Sequence, residues 1–535
     1  MKNAFAAGVL VVGLAFPLSA WATSGLYSLS YGAKSGGMAG ATLVSGDDAL
    51  NQIINPANLS LIDSRFDVNI MYLRSNLHFE NSGTYSPIVP GVGGTTFTND
   101  RDNERGFDSE IFPFTDNNFL VPSLGFVVRF KDSGWLGPIN TRDLGFGFHL
   151  TGLGGDASRF FLNHPLLGPD ERFRANLVLM NAGPAVSYRV NKYLSVGVQG
   201  QILAGRFQFD QPVAFDPGTF ALGSSPGLAG FGLTNFGQFF RGIGITEGVG
   251  DGKLTDVDFT FGGGARVGVT VTPHDRVSLS ATYQSERHLT FTGKARFDFT
   301  RQLQEAGFII AANPAGNPFV ASIQAALGCP GGCTPAQVNA GFMALGFNPA
   351  LGFKTQYNAE VPFTLPQQVD AGIAVRVLPQ LVAEADFGWI QWSATDPFET
   401  FRVDLRNGTN PNINLIIGSP DVDFFIKTRW RDQYVYRLGA AWAAFQAVTL
   451  RGGYSYASNP IRESGALVTF PAYGFHTLTA GGTAKLGEKW DVSAAFERAF
   501  ERTVKVGASQ VDSFHSNSKE SHEQFSVYLQ LGRRF

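Results

Sequence analysis

Cysteine is almost absent: the 535 residues contain two, Cys329 and Cys333, in the stretch Cys-Pro-Gly-Gly-Cys. A zinc site needs further ligands, and no histidine lies near this stretch, so metal chemistry is not expected. An excess of one charge is also missing. The chain carries 41 Lys and Arg against 44 Asp and Glu, a net charge of −3, which argues against a nucleic-acid partner. Beyond residue 22 no apolar run reaches the roughly 18 residues that a spanning helix requires. If the mature chain crosses a membrane, it crosses by strands.

The apolar stretch that does exist is at the start. Lys2 supplies a positive n-region, Ala4 to Leu18 an apolar h-region, and Ala20-Trp21-Ala22 a small-x-small cleavage site. Gly13 and Pro17 interrupt the h-region, which is too short for an anchor. Residues 1–22 therefore read as a secretory signal, with Thr23 the first mature residue. In a secreted chain Cys329 and Cys333 read as a small disulfide loop.

What is plentiful is glycine and phenylalanine, 64 and 48 residues, at a mean hydropathy of zero. A barrel with an aromatic, lipid-facing exterior and small residues inside uses both. The residues alternate with period two along segment after segment. Leu144, Phe146, Phe148 and Leu150 alternate with Gly145, Gly147 and His149. Leu194, Val196 and Val198 alternate with Ser195, Gly197 and Gln199. Val277, Leu279, Ala281 and Tyr283 alternate with Ser278, Ser280, Thr282 and Gln284. Val448, Leu450, Gly452, Tyr454 and Tyr456 face away from Thr449, Arg451, Gly453 and Ser455. Several of these runs exceed the five or six residues usual in a sandwich and suit a tilted crossing of a bilayer.

The connections are of two kinds. Tight turns fall near Asn191-Lys192, Pro273-His274-Asp275, Leu378-Pro379, Ala444-Phe445 and Gly487-Glu488. Long irregular segments fall near 81–118, 154–176, 210–256, 297–360, 403–423 and 506–520. Outer-membrane barrels show this asymmetry. From Arg65 onward the pattern gives about fourteen strands, an even number that brings the last beside the first. The last run, Phe525, Val527, Leu529, Leu531 and Phe535, is interrupted by Arg533, which is expected at the interface where its head reaches water. Since each unpaired backbone group in hydrocarbon costs several kcal/mol, such a set of strands must close. The expected fold class is all-β: a transmembrane antiparallel β-barrel, residues 65–535, with residues 23–64 as a plug in its lumen.

Several stretches resemble the FadL family of outer-membrane long-chain fatty-acid transporters, which includes channels for aromatic hydrocarbons. Asn55-Pro56-Ala57 followed by Leu59-Ser60 is similar to the family's plug signature, with Asn58 where glycine is usual. Pro362 to Gly372 through Asp386, and Trp389-Ile-Gln-Trp392-Ser393, resemble a recurring pair of strands. So do Trp430-Arg-Asp432 through Leu438-Gly439, Leu450-Arg451-Gly-Gly-Tyr454-Ser-Tyr456, and Asn459-Pro460. The resemblance implies a fourteen-stranded barrel of the bacterial outer membrane with an N-terminal hatch. Ligand would be caught on a groove between two extracellular loops, pass to a pocket beside the hatch, and leave sideways at a kinked strand. It implies no cofactor and no catalysis. Its partners would be a hydrophobic small molecule or fatty acid, outer-membrane lipid and the barrel assembly machinery, and its members act as monomers.

Candidate site residues follow from these two lines. In the hatch, Leu26, Tyr27, Leu29 and Tyr31 are the apolar groups placed to meet ligand, or simply to fill the lumen. Pro56 biases Asn55 away from helix, so a fixed bend is expected at Asn55-Pro56-Ala57. Loop 210–256 carries Phe231, Phe236, Phe239 and Phe240, and loop 297–360 carries Phe308, Ile309, Phe342 and Phe347. That much apolar surface on loops is packed away or used for binding. Gly145, Gly147, Gly152, Gly154 and Gly155 cluster in and after the third strand. Glycine there marks a bulge or bend, so Gly152, Gly154 and Gly155 are placed at the lateral opening, with close packing on the hatch as the alternative. By strand parity Arg129, Arg266, Arg376 and Arg451 point inward and are candidates for an acidic head group, with Glu384 and Asp386 as competing partners. His515-Ser516-Asn517 with His522 is the nearest approach to a lipase constellation, and no nucleophile turn accompanies it. The alternatives are a hydrocarbon channel in the same fold, a general porin, or a surface adhesin or receptor.

Overall fold

The computed structural model describes residues 23–84, 96–104, 117–130, 143–255 and 257–535; the leader expected over 1–22 lies outside them. The wall is made of β1 (Arg65–Thr84), β2 (Asn118–Arg129), β3 (Leu144–His164), β4 (Gly168–Arg189), β5 (Leu194–Phe215), β6 (Thr260–His274) and β7 (Val277–Gln284). It continues with β8 (Gln368–Leu378), β9 (Leu381–Ile390), β10 (Gln433–Phe445), β11 (Val448–Ala457), β12 (His476–Leu486), β13 (Trp490–Val506) and β14 (Ser518–Arg534). Each pairs antiparallel with the next. β14 then pairs with β1 from Ser518↔Asn81 to Arg534↔Arg65. The ring is closed and leaves no edge, as a structure spanning hydrocarbon must be.

The residue pattern is that of a soluble protein turned inside out. Phe66, Val68 and Ile70 on β1 are exposed while Arg65, Asp67 and Asn69 between them are buried. On β5, Val196, Val198 and Ile202 are exposed while Ser195, Gln199 and Gln201 are buried. Exposed apolar rows around a polar lumen make a lipid-facing belt. Among the described residues no helix is long and apolar enough to cross a membrane. Arg533 sits over the rings of Trp490 and Phe535, at 5.3 and 5.4 Å, an interfacial cation on an aromatic girdle.

One end of the barrel carries the short turns. At the other end, most wall strands run on into further segments: Thr96–Asp102 leads into β2, Gly248–Thr255 into β6, Lys354–Leu365 into β8 and Val422–Ile426 into β10, while Arg287–Asp298 follows β7 and Phe401–Arg406 follows β9. They pair in the same order as the strands they prolong. The segment 154–176, expected to be irregular, is instead a tall hairpin of β3 and β4. Above the belt its inward side chains, Phe160, Leu162, Phe173 and Leu177, meet apolar loops, so the in-out contrast that signals a strand is lost. The long loops are helical, with Phe236–Ile243, Thr300–Ala312, Pro318–Ala326 and Pro335–Ala344 packed into one cap. Cys329 and Cys333 form a disulfide between the last two.

Candidate functional site

The N-terminal segment fills the lumen and is hydrogen-bonded to the wall around the ring. Ala33 donates its N–H to Gln530 on β14 at 2.8 Å. Val44 and Ser45 donate to Glu384 on β9 at 2.7 and 2.9 Å, and Leu43 to Asp386 at 3.2 Å. Ser195 on β5 and Ser187 on β4 donate to the Ala57 carbonyl at 2.6 and 3.0 Å. Glu384 and Asp386 thus serve the segment's backbone. Asn55 is extended at φ −140° and caps the turn that begins at Pro56 by accepting from Ala57 N, because proline at the first position disfavours helix before it. Gly145 and Gly147 on β3 and Gly197 on β5 lie where a Cβ would collide with Leu59, Gln52 and the Pro56–Ala57 peptide. These glycines permit close backbone approach, the hatch packing raised as the alternative for the cluster to which Gly145 and Gly147 belong.

Two cavities lie on either side of the start of this segment, and Ser28 lines both. The lumen pocket has an empty volume of about 630 Å³ and is lined by Tyr27, Leu29 and Tyr31 with Arg266, Arg287, Arg437, Asp370 and Asp386. Arg437 and Arg266 both face Asp370, at 3.4 and 3.7 Å. Arg266 also donates to the Ile54 carbonyl at 2.8 Å. Arg287 is different. It is 2% exposed and donates to the Tyr27 hydroxyl at 2.7 Å. It has no carboxylate partner among the described residues, and its Nε is buried without an acceptor. A buried cation without a counter-charge is costly, and the pocket thus presents an unmet demand for an anion.

The wall cavity, about 710 Å³ empty, is lined by Gly25 and Ser28 of the segment, Met71, Leu73, Phe119 and Val121 of β1 and β2, and Gly152, Gly154, Gly155, Asp156 and Leu177 of β3 and β4. It exists because the wall is incomplete here. The pairing of β2 with β3 stops at Ser123↔Thr151; the next residue on β2 is Pro122, which has no N–H to offer. Between Gly152 and Gly154 the register of β3 with β4 shifts by one residue, a β-bulge. Beyond the bulge Tyr27 of the N-terminal segment lies opposite Gly154.

Of the four arginines expected to meet ligand, Arg266 alone lines the lumen pocket. Arg376 and Arg451 line a polar vestibule of about 870 Å³ at the short-turn end, with Lys34, Asp47 and Asp48. Arg129 is at that end too, its N–H bonded to Ser64 Oγ at 2.9 Å. Parity cannot tell height along a strand, and the vestibule and pocket are at different heights. Parity alone would have found Arg437, which alternates with exposed Tyr434, Tyr436 and Leu438. Arg287 follows the break after β7, where parity resets, and had no such signal. Leu26 does not line the pocket; Tyr27, Leu29 and Tyr31 do.

The loop phenylalanines meet one another more than solvent. Phe236 stacks on Phe347 at 5.1 Å, Phe342 meets Phe347 at 5.8 Å, and Phe239 and Phe231 both meet Phe319. Phe239, Ile309 and Phe342 are buried and Phe308 partly so. Phe240 lines an apolar cavity of about 400 Å³ with Phe215, Phe220, Phe299, Ile413 and Ile416. A third loop, within the long segment 403–423 to which the sequence reading gave no part in the groove, closes one side of it with its helix Pro411–Ile417. Further down, Phe207, Phe209, Phe363, Phe398, Phe401 and Trp430 line a second apolar cavity of about 480 Å³. His515 is bonded to Asp512 at 2.7 Å, but Ser513 is engaged by Glu247 and Ser516 bonds backbone, so neither neighbouring serine is bonded to the imidazole.

A family model described as "Outer membrane protein transport protein (OMPP1/FadL/TodX)" matches residues 18–530. No curated protein matches the sequence. Among solved structures, the Ralstonia pickettii toluene transporter TbuX is similar with a TM-score of 0.59 at 16% identity, covering 95% of this chain and 99% of that one. The P. putida toluene transporter TodX gives the same four values. A Pseudomonas aeruginosa FadL homologue gives 0.61 at 14% identity, over 96% of this chain and 99% of its own. At these identities the likeness is one of fold.

Proposed function

The chain belongs to the OMPP1/FadL/TodX family of outer-membrane transport proteins, and on that premise we propose that it takes up long-chain fatty acids passively. The observation that carries the choice of substrate is Arg287, a buried cation with no carboxylate of its own among the described residues, beside Tyr27 in a pocket shared by the hatch and the polar inner wall. An ionised head group would supply the missing charge in a charge-assisted, bidentate contact. The chain is first caught in the apolar cavity between the loops, where burying each side-chain-sized group is worth roughly 1.5–3 kcal/mol. It then moves past Phe207, Phe398 and Trp430 to the lumen pocket.

The exit is sideways. Residues 25–28 separate the lumen pocket from the wall cavity, and a small shift of this stretch joins them. Gly152, Gly154 and Gly155 on one side and Pro122 on the other flank the unpaired seam between β3 and β2, through which an apolar molecule reaches lipid. Nothing in this route consumes energy; the hatch acts as a gate whose position depends on what the pocket holds.

Uptake of radiolabelled oleate by bacteria that express this chain as their only such transporter tests the substrate. Arg287→Met should lower oleate entry about tenfold, the scale of one lost charged hydrogen bond, and leave a C18 alkene unaffected. Oleate entry unchanged in that variant would favour the second reading, a channel for hydrocarbons, which the predominantly apolar loop cavities support. A general porin would instead leak small polar solutes.

A further inference from the structure

Trp392 touches the walls of three cavities and lines none of them. It continues the inward row of β9, after buried Glu384, Asp386 and Ile390, and is itself wholly buried. Its Nε1–H donates to Gln433 Oε1 at 3.1 Å. On one side the indole stacks on Tyr27 of the lumen pocket at 5.2 Å. It also covers Gly25 of the wall cavity, where a Cβ would stand 2.9 Å from Cζ2. On the other side it meets Phe398 at 4.4 Å and Trp430 at 5.5 Å, edge to face. Both of these line the lower loop cavity of about 480 Å³.

This attachment of the hatch differs from the others. Those are hydrogen bonds to the wall; this one is a run of packed rings that begins at the loop cavity and ends on residues 25–27. At Gly25 the backbone takes φ +67° and lies directly against the indole, an approach that a side chain would prevent. Close-packed interiors transmit a displacement instead of absorbing it. A molecule that pushes Phe398 or Trp430 aside therefore moves the indole, and the indole cannot move toward the hatch without displacing Gly25 and Tyr27. The bland alternative is a ring that merely fills the top of the lumen. The two readings part on whether an apolar molecule in the loop cavity is felt at residues 25–28.

We infer that Trp392 is a positioning residue for transport: it couples the filling of the lower loop cavity to the position of residues 25–28, so that an apolar chain lodged there loosens the partition between the lumen pocket and the wall cavity. This rests on the transport reading above and gives the gate its trigger. A head group acts on the same partition from the opposite side, because Arg287 holds the Tyr27 hydroxyl at 2.7 Å. Tail and head thus converge on Tyr27, the first through Trp392 and the second through Arg287.

The test follows the rate at which a methanethiosulfonate reagent modifies Ser28→Cys, a position that lines both cavities, in the purified full chain, whose own cysteines are paired. Saturating 1-octadecene, which offers Arg287 no head, should raise the rate about three- to tenfold, the scale of one aromatic pair. Adding Trp392→Ala should raise the ligand-free rate by a similar factor and leave the alkene less than about a twofold effect, in protein whose heat-modifiable gel mobility shows an assembled barrel. An unfolded sample sets the upper limit of the rate, so that a lost response is distinguished from a saturated one. Trp392→Phe keeps a ring against Tyr27 and Phe398 and should keep the response. Arg287→Met should leave the alkene response intact and reduce the response to oleate alone. An alkene response of undiminished size in Trp392→Ala, or none in Ser28→Cys by itself, would overturn the inference while leaving transport intact. Failure of cells expressing the wild-type chain to take up either oleate or the alkene would instead remove the transport reading itself.

Discussion

Gly155 of β3 donates its N–H to the Leu26 carbonyl at 3.1 Å, so the strand that breaks from the wall is tied to the segment that fills the lumen. At the adjacent Gly154, φ is +153° and a Cβ would overlap that same carbonyl oxygen. The bulge and residues 25–28 therefore form one mechanical unit, and displacing either changes both cavities.

The glycines of the opening are thus not equivalent. A side chain at Gly152 meets only the side chain of Val121, so Gly152→Phe should fill the gap. Uptake should fall at least about tenfold, with ion conductance in planar bilayers unchanged. Gly154→Val strains the backbone and pushes on Leu26, so it should raise conductance by unseating the hatch. Wild-type uptake in both variants would mean that the wall at Gly152 is not the route.

Asn55 is fully buried and bonds in three directions: from Nδ2 to the Leu43 carbonyl and Thr270 Oγ1, at 2.9 and 3.0 Å, and at Oδ1 from Ala57 N at 3.0 Å. Asn55→Ala removes the cap on the Ala57 N–H and one of two donors on the Leu43 carbonyl, which keeps Asn58 Nδ2 at 3.1 Å, a combined cost of roughly 1–3 kcal/mol. That cost falls on the hatch and not on the ring. Amide exchange over residues 42–60 should quicken by two orders of magnitude or so, while barrel melting stays within a few degrees. A parallel drop in barrel melting would show that hatch and wall unfold as one.

The ring was legible in the sequence because lipid outside and polar groups inside force alternation on every crossing strand, as Val196 and Val198 against Ser195 and Gln199 illustrate. The turn at Asn55-Pro56 was legible because proline acts locally. What failed was whatever depends on a break in the repeat. The slip at Gly152–Gly154 turns Asp156 inward, and the interruption at Ser285-Glu286 frees Arg287 from its strand's parity; a sequence read at period two sees neither. The loop phenylalanines were visible as apolar, but their packing against each other is decided by loop helices such as Thr300–Ala312. Above the membrane those helices replace lipid as the apolar surroundings, and the contrast between faces disappears.

The hatch should loosen as pH rises from about 4 to 6. Burial first, then the facing Asp67 carboxylate, push Asp48 up to about 6 against 3.8 for a free side chain. The folded hatch therefore binds more protons than the released one across that interval, and its stability falls as pH increases. The difference amounts to roughly 3 kcal/mol for a shift of that size. Asp47 acts oppositely and lower: burial raises it, but the Lys34, Arg451 and Arg65 charges outweigh this and hold it below the usual range, so its contribution is lost only as pH falls below about 3.8. Conductance measured from pH 4 to 7 should rise through this window, and Asp48→Asn should flatten the rise. A rise of the same size in Asp48→Asn would assign the effect to other groups.

The loop over 507–517 closes the long-loop end through Phe514, which stacks within 5.0–5.6 Å of Phe173, His164 and Phe97, and through buried His515. Burial pulls the imidazole down, but the Asp512 carboxylate at 2.7 Å outweighs it, so His515 stays raised above 6.5. A histidine raised in the folded state contributes fully below pH 6.5, and that contribution is lost as pH climbs through the folded value. Asp512 is held low: burial opposes this, but the His515 charge and hydrogen bonds prevail. Its part is present above 3.8 and disappears only in stronger acid. The loop should therefore be anchored most firmly between about pH 4 and 6.5 and loosen above neutrality. Amide exchange at residues 509–516, corrected for the intrinsic rate at each pH, should show protection falling between pH 7 and 9. His515→Gln should remove that fall and lower protection at pH 6 toward the alkaline level. Protection at pH 6 unchanged by His515→Gln would show that the Phe514 stack holds the loop without the ion pair.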